Sequence, residues 1–273
     1  DIDGNGFLDI VIGVDSAGGG ALKANRKEIP AGGALRVMDI YSNEIGTFPQ
    51  WIEQVVMSTP SVGDVNQDGT LEIFHGTGSF YPIQAGPGVY AFNSDGSAYL
   101  NPQGKSSGDA GYGLFASTDN VVWGAPALGD LNGDGEVEII AADLSGYVYV
   151  WDSQGALLPG FPMLPLQEHP GDQHPHIKSS PILVDVDGDL LPEIVIGVGW
   201  SIVAVNGDGS IVPAFRYGNT NFTMGTLPVF ATPASADLDG NGKLELVWGT
   251  GVSSDGGTTV DNGLVHIWEL DAS

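Results

Sequence analysis

The sequence predicts an all-β fold of repeated antiparallel sheets, and three observations carry that expectation. A nine-residue acidic pattern occurs five times, a short β-branched run follows each copy, and no stretch of ten or more residues keeps a convincing 3.6-residue apolar period. The nearest helical candidate, Trp51 to Met57, is too short and runs into Thr59-Pro60. Forty-two Gly and 17 Pro in 273 residues supply turns, and 42% hydrophobic content supplies a core.

The repeated pattern reads DIDGNGFLD at 1–9, DVNQDGTLE at 64–72, DLNGDGEVE at 130–138, DVDGDLLPE at 185–193 and DLDGNGKLE at 237–245. A Pro stands four residues ahead of the first Asp in the last four copies: Pro60, Pro126, Pro181 and Pro233. A β-type run follows each copy, among them Ile10-Val11-Ile12, Ile139-Ile140 and Ile194-Val195-Ile196. A second apolar run comes next, as in GVYAFNSDG from Gly88 and SIVAVNGDG from Ser201, and a weaker fourth segment such as Ala156 to Met163 often completes the unit. The unit is strand, acidic loop, strand, turn, strand. Repeated four-stranded units of this length predict the blades of a β-propeller, each covering its neighbour's apolar face, in a single domain over 1–273.

Within each loop the oxygen-bearing side chains fall at positions 1, 3, 5 and 9, counted from its first Asp. The sets are Asp1, Asp3, Asn5, Asp9; Asp64, Asn66, Asp68, Glu72; Asp130, Asn132, Asp134, Glu138; Asp185, Asp187, Asp189, Glu193; and Asp237, Asp239, Asn241, Glu245. Alternate oxygens in a tight turn converge on one centre, and the Gly usual at position 6 lets the backbone reverse. Position 7 would add a backbone carbonyl, from Phe7, Thr70, Glu136, Leu191 or Lys243. Calcium, with six to eight oxygen ligands in a flexible shell, fits better than magnesium or zinc. An EF-hand needs an acid at position 12, where this chain has Ile12, His75, Ala141, Ile196 and Trp248. Plain Asp/Asn/Gly turns would not fix an acid at position 9 five times. The fourth loop departs from the pattern, with Leu190 in place of Gly, Pro192 at position 8 and a fourth carboxylate.

The charge balance fits this reading. With 34 acidic and 8 basic residues the formal charge is −26, which disfavours nucleic acid and anionic lipid as partners. Loop positions 1, 3, 5 and 9 hold 16 of those acids, and five divalent cations would bring the charge to −16. No cysteine is present, so disulfides and thiol chemistry are excluded, and no run of 18 apolar residues exists to span a membrane. The chain opens at Asp1 with neither initiator Met nor signal peptide, and the expectation is a processed or partial piece of a longer protein.

These residues resemble the FG-GAP repeat of integrin α-subunit propellers and the related VCBS-type repeats of bacterial surface proteins. The likeness covers nearly the whole chain and includes Gly124-Ala125-Pro126 ahead of Asp130. It implies that each loop joins the first two strands of a blade and binds calcium through the five sets named above, up to five ions in all. Propellers of that family usually have seven blades, so about five are expected here, with neighbouring copies or missing blades of the same protein completing the ring. The resemblance further implies an extracellular or cell-surface protein that recognises a protein or glycan at the propeller rim. Two other readings stand beside it: a structural subunit of a surface layer or filament, and an accessory domain of a polysaccharide-active enzyme.

Three remaining features are weaker. His169, His174 and His176 gather in a Pro-rich segment that suits a transition metal or, more simply, a solvated loop. Trp51, Phe80, Tyr81, Tyr112, Phe115, Trp123, Trp200, Tyr217 and Phe222 suit either a binding platform or the core between blades. Asn221-Phe222-Thr223 is a lone glycosylation sequon. No nucleophile elbow, phosphate loop or dinucleotide fingerprint appears in a strand-to-helix context, so no catalytic residue is expected.

Overall fold

The computed structural model describes residues 1–15, 22–24, 27–29, 32–52, 54–56, 58–78, 86–100, 102, 104–107, 109, 111–166, 176–199, 201–212, 229–250 and 264–270. Among them the protein is all-β, with no helix. The chain divides into two compact units, the first formed by 1–128 with 153–155 and the second by 129–152 with 156–273.

In the first unit, β1 (Ile10–Asp15), β4 (Gly33–Met38) and β5 (Gln50–Ile52) form a sheet in the order β1-β4-β5, and β2 (Leu22–Ala24) pairs with β3 (Lys27–Ile29) as a separate hairpin. The second sheet runs β6 (Ser61–Gly63), β7 (Glu72–Gly76), β8 (Gly88–Asn93), β9 (Leu114–Ser117) in chain order. The boundary between units falls inside β10 (Ala127–Gly129), which belongs to a sheet with β11 (Glu138–Ala142) and β12 (Val148–Trp151). Two more three-stranded sheets follow in the second unit: β13 (Ile182–Val184), β14 (Glu193–Val198), β15 (Ser201–Val205), and β16 (Ala234–Ala236), β17 (Glu245–Gly249), β18 (Val265–Glu269). Five sheets therefore repeat one antiparallel plan. Ala156 to Met163, expected as a weak fourth strand, forms only the isolated bridges Trp151–Leu157 and Val148–Met163.

Within each unit, neighbouring sheets stack face to face in one direction. Continuing the loop numbering into the strand, positions 10 and 12 point to one face and 11 and 13 to the other, as alternation requires. In the first unit Val11, Leu35 and Val37 pack on Ile73, Tyr90 and Phe92. In the second, Val195, Ile202 and Ala204 pack on Leu246, Trp248 and Trp268. The 11/13 face of one sheet thus meets the 10/12 face of the next.

A small residue at position 13 permits this approach: Gly13, Gly76, Ala142, Gly197 and Gly249. Eight residues before the next loop stands an apolar side chain, Val56, Val122, Ile177 or Val229, each buried. A Cβ on Gly13 would lie 2.5 Å from Val56 Cγ1, and one on Gly197 would lie 2.6 Å from Val229 Cγ1. At Gly76 the obstacle includes backbone, with Val122 O at 2.6 Å from such a Cβ, and Val122 is held there by its N–H donating to Thr77 O at 3.1 Å. The exit loop of one sheet also rests on the hairpin turn of the next: Thr47 N–H donates to Asp95 O at 2.8 Å in the first unit.

The aromatic side chains join this packing. Phe74 meets Phe115 edge-on at 5.4 Å, Phe92 lies 6.0 Å from Tyr112, and Trp151 stacks on Tyr149 at 5.3 Å. Phe80, Tyr81, Trp200, Tyr217, Phe222 and the sequon lie outside the described residues, as do His169 and His174. His176 sits on the surface with Nδ1 2.6 Å from Leu144 O.

Gly76→Ala is expected to destabilise the protein by about 1–3 kcal/mol through overpacking against Val122. Gly86→Ala, where an added Cβ meets nothing within 4 Å, is the control. Urea denaturation midpoints of the two variants measure the difference, and equal midpoints would remove the close-approach role of position 13.

Candidate metal centres

Each of the last four acidic hairpins joins the first strand of a sheet to the second, and the first leads directly into β1. No hairpin adjoins a helix, which agrees with the failure of the EF-hand pattern.

One hydrogen-bond pattern holds all five loops. The position-2 N–H donates to the position-9 carboxylate, at 2.7 Å from Ile2 to Asp9, 3.0 Å from Val65 to Glu72, and 2.7 Å from Leu131 to Glu138, Val186 to Glu193 and Leu238 to Glu245. The position-5 N–H donates to the position-3 oxygen, from 2.9 Å at Asp68 and Asp134 to 3.3 Å at Asp189. The position-6 N–H donates to the position-1 carboxylate, from 2.7 Å at Gly6 to 3.1 Å at Leu190. The position-7 N–H donates to the position-5 oxygen at 2.8–2.9 Å, from Phe7, Thr70, Glu136, Leu191 and Lys243.

The backbone needs two left-handed residues to make these bonds. Position 6 has φ of +89° at Gly6 and Gly69 and +88° at Gly135 and Gly242. Leu190 adopts +75° in the same place, a conformation that its Cβ disfavours. Position 4 is also left-handed, at Gly4, Gly133, Gly188 and Gly240, with Gln67 taking +59°. The sequence reading assigned a role only to position 6. The signal for position 4 was present as Gly in four copies.

In the first, fourth and fifth loops the carboxylates converge, as a hard cation requires. Ligand oxygens of Asp1, Asp3 and Asp9 lie within 4.8 Å of one another, as do those of Asp185, Asp187 and Glu193, and of Asp237, Asp239 and Glu245. In the second and third loops, position 3 is Asn66 or Asn132 and the third acid stands at position 5, as Asp68 or Asp134. Position 9 decides the chemistry. Glu72, Glu138, Glu193 and Glu245 are buried beneath their own loops. One oxygen of each accepts the position-2 N–H, while Asp9 Oδ1, Glu72 Oε1 and Glu245 Oε1 are buried with no hydrogen-bond partner. In the third loop Asn132 Nδ2 reaches Glu138 Oε1 at 3.3 Å.

The electrostatic cost appears in the proton affinities. Burial pushes Glu72 up, and the Asp68 and Asp64 charges add to it against the pull of the Val65 N–H. Burial likewise raises Glu138, with Asp134 and Asp130 adding to the shift. Glu193 rises to about 7, first through burial and then through Asp187, Asp189 and Asp185. Asp68 is lowered, chiefly by the Thr70 hydroxyl. At Asp130 burial is opposed and outweighed by the N–H groups of Gly135, Gly133, Asn132 and Asp134. A buried acid with an unpaired oxygen under several other acids is what a divalent cation satisfies. The donor sets are all oxygen, so the residues fit calcium.

No protein-family model matches the chain, and no curated protein matches it. Among solved structures it is similar to the C-terminal domain of PilY1 from Pseudomonas aeruginosa, with a TM-score of 0.51 and 15% identity over 89% of this chain and 52% of that one. It is also similar to the V. cholerae biofilm matrix protein Bap1, with a TM-score of 0.37 and 20% identity over 75% of this chain and 36% of that one. The chain spans about half of the PilY1 domain structure and about a third of Bap1. The PilY1 likeness is one of fold, and the Bap1 likeness carries no argument at that score.

Leu190→Gly is expected to raise stability by about 1 kcal/mol, because Leu190 is 88% exposed and gives up little packing while the left-handed strain is relieved. Thermal melting of this variant beside Gly69→Leu, which should fall, checks it. A second expectation concerns pH in the presence of chelator. Glu193 holds its proton in the folded state up to about 7 against an ordinary 4.5, so its contribution is fully present below 4.5 and is lost as pH rises through 7. Buried His75, lowered to about 4 by burial, acts oppositely: its contribution is present above 6.5 and is lost as pH falls. Glu193→Gln should flatten the fall of stability between pH 5 and 8 in urea titrations; an unchanged profile would contradict the assignment.

Proposed function

We propose that the chain is a calcium-clamped β-propeller of the FG-GAP type that acts outside the cell as a recognition or adhesion surface for a protein or glycan, without catalytic activity of its own. The carrying observation is the fivefold hairpin whose position-9 acid is buried under the loop in four copies and half-buried at Asp9, with a buried oxygen left unpartnered at Asp9, Glu72 and Glu245. The one-directional stacking of repeated sheets supports the propeller, since each sheet buries a face that it cannot cover alone. The PilY1 likeness supports the fold.

Bound calcium would supply positive charge among the loop acids, at positions 1, 3 and 9 in the first, fourth and fifth loops and at positions 1, 5 and 9 in the second and third. The chain's part is to hold those groups, through the N–H donors at positions 2, 5, 6 and 7. Free calcium is abundant outside cells, which favours an extracellular setting. Among the described residues no helix is long and apolar enough to cross a membrane. Neither a strand-to-helix nucleophile turn nor a phosphate-binding loop is found among them.

Chelation is expected to lower the melting temperature substantially, with calcium restoring it and magnesium doing so poorly, because an ion bound only by the folded state stabilises it by mass action. Calorimetric titration should count up to five ions. Identical melting curves with and without chelator would end the calcium reading. For recognition, protein immobilised in calcium is probed with glycan and extracellular-protein arrays; retention reversed by chelator supports the role, and retention of nothing on either array counts against it.

A further inference from the structure

The fourth hairpin departs from the repeat as Leu190-Leu191-Pro192, and the departure lays an apolar side chain on its neighbour. A Cβ added to Gly133, at position 4 of the third hairpin, would lie 2.9 Å from Leu191 Cδ2. The same position in the first and fifth hairpins, Gly4 and Gly240, meets nothing within 4 Å. A second contact joins the same pair of repeats. A Cβ on Gly207, in the turn after β15, would lie 2.6 Å from Leu131 O and 3.3 Å from Leu131 Cβ. Leu131 is 1% exposed, and its N–H is the donor that holds Glu138. Both contacts lie within the second unit.

Building on the calcium reading above, we infer that the third and fourth hairpins bind their ions cooperatively, with Leu191 as the link between them. The Leu191 N–H donates to Asp189 Oδ1 at 2.8 Å, its carbonyl stands at the seventh loop position, and its side chain lies against Gly133. Gly133 in turn donates its N–H to Asp130 Oδ1 at 2.7 Å. An ion that draws Asp130 into place therefore fixes the seat of Leu191, and with it the position-7 carbonyl of the fourth hairpin. The path runs equally in reverse, as linkage requires. The conformational entropy of ordering this shared contact is lost at whichever hairpin fills first, so the second ion meets a loop already held. Repulsion between the ions does not cancel the gain. The ligand positions carry three carboxylates in the third hairpin and four in the fourth, so one divalent cation in each leaves formal charges of −1 and −2. Each filled hairpin still attracts a cation.

Calcium titration followed by amide-resolved NMR reads each hairpin separately through its position-6 N–H: Gly69 for the second, Gly135 for the third and Leu190 for the fourth. Asp130→Asn with Asp134→Asn, which disables the third hairpin, is expected to raise the calcium midpoint at Leu190 by about five-fold or more. Asp185→Asn with Asp187→Asn should raise the midpoint at Gly135 by the same factor, and neither pair should move Gly69. Leu191→Ala keeps the backbone carbonyl, so both hairpins should still bind, but on this background both cross-effects should vanish. Melting curves in calcium establish that the variants are folded, and Asp134→Asn and Asp187→Asn alone serve if a double variant is not. Midpoints that ignore the neighbouring substitution, an equal rise at Gly69, or cross-effects that survive Leu191→Ala would each overturn the linkage and leave the calcium reading intact. Amides that never respond to calcium would sink both.

Discussion

The structure turns on an acid that sheet formation forces under other acids. Glu72, Glu138, Glu193 and Glu245 are the first residues of β7, β11, β14 and β17, and Glu72, Glu193 and Glu245 pair directly with Gly63, Val184 and Ala236 at the ends of the preceding strands. Closing that pair delivers a carboxylate beneath the hairpin just formed, where the Asp at position 1 already stands. The position-2 N–H offsets part of the desolvation, but a single donor cannot neutralise a buried charge. Folding each sheet therefore accumulates unfavourable charge at one point, and a divalent cation there reverses the sign of the interaction.

The backbone carries the arrangement without help from large side chains. The position-3 and position-5 oxygens accept N–H bonds two residues on, which is ordinary Asx-turn chemistry and would form in any such hairpin. The bond from position 6 back to position 1 closes the turn, and the left-handed residues at 4 and 6 make it geometrically accessible. Those two levels differ in what they explain. Turn chemistry accounts for the loop's shape, while the buried position-9 acid requires something that turn chemistry does not provide. The fourth loop shows their separability: Leu190 strains the turn, yet its bond to Asp185 and the convergence of Asp185, Asp187 and Glu193 both persist.

Much of this was legible in the residues. The strand–loop–strand plan followed from the spacing of carboxylates and β-branched runs, and the four acid-bearing positions were fixed by repetition alone. That neighbouring sheets cover one another was expected, but the residues that form the interface were not legible, although their marks are in the sequence. Small residues at position 13 and the apolar residue eight before the next loop are meaningful only once two sheets are seen to approach, and Gly76 within a β-run looks merely permissive until Val122 is placed against it. Position 4 was overlooked because Gln67 breaks its Gly pattern, and a left-handed Gln is not signalled by local propensity. The weak segment after Trp151 kept its bridges without becoming a strand; Pro159 and Pro162 remove two donors from it.

Stacking has a direction, and that direction constrains how the charge is managed. If neighbouring sheets met through like faces, a pair would satisfy itself and growth would stop at two. Because an 11/13 face meets a 10/12 face, every added sheet consumes one uncovered face and presents another, so the array is limited only by ring closure or by electrostatic self-repulsion. With a formal charge of −26, repulsion is substantial, and almost half of the acids sit at loop positions 1, 3, 5 and 9. The acidic hairpins are repeated once per sheet, so cations held there would offset charge in step with the array. A fold that adds negative charge with each repeat can extend because each repeat also carries the means to offset it.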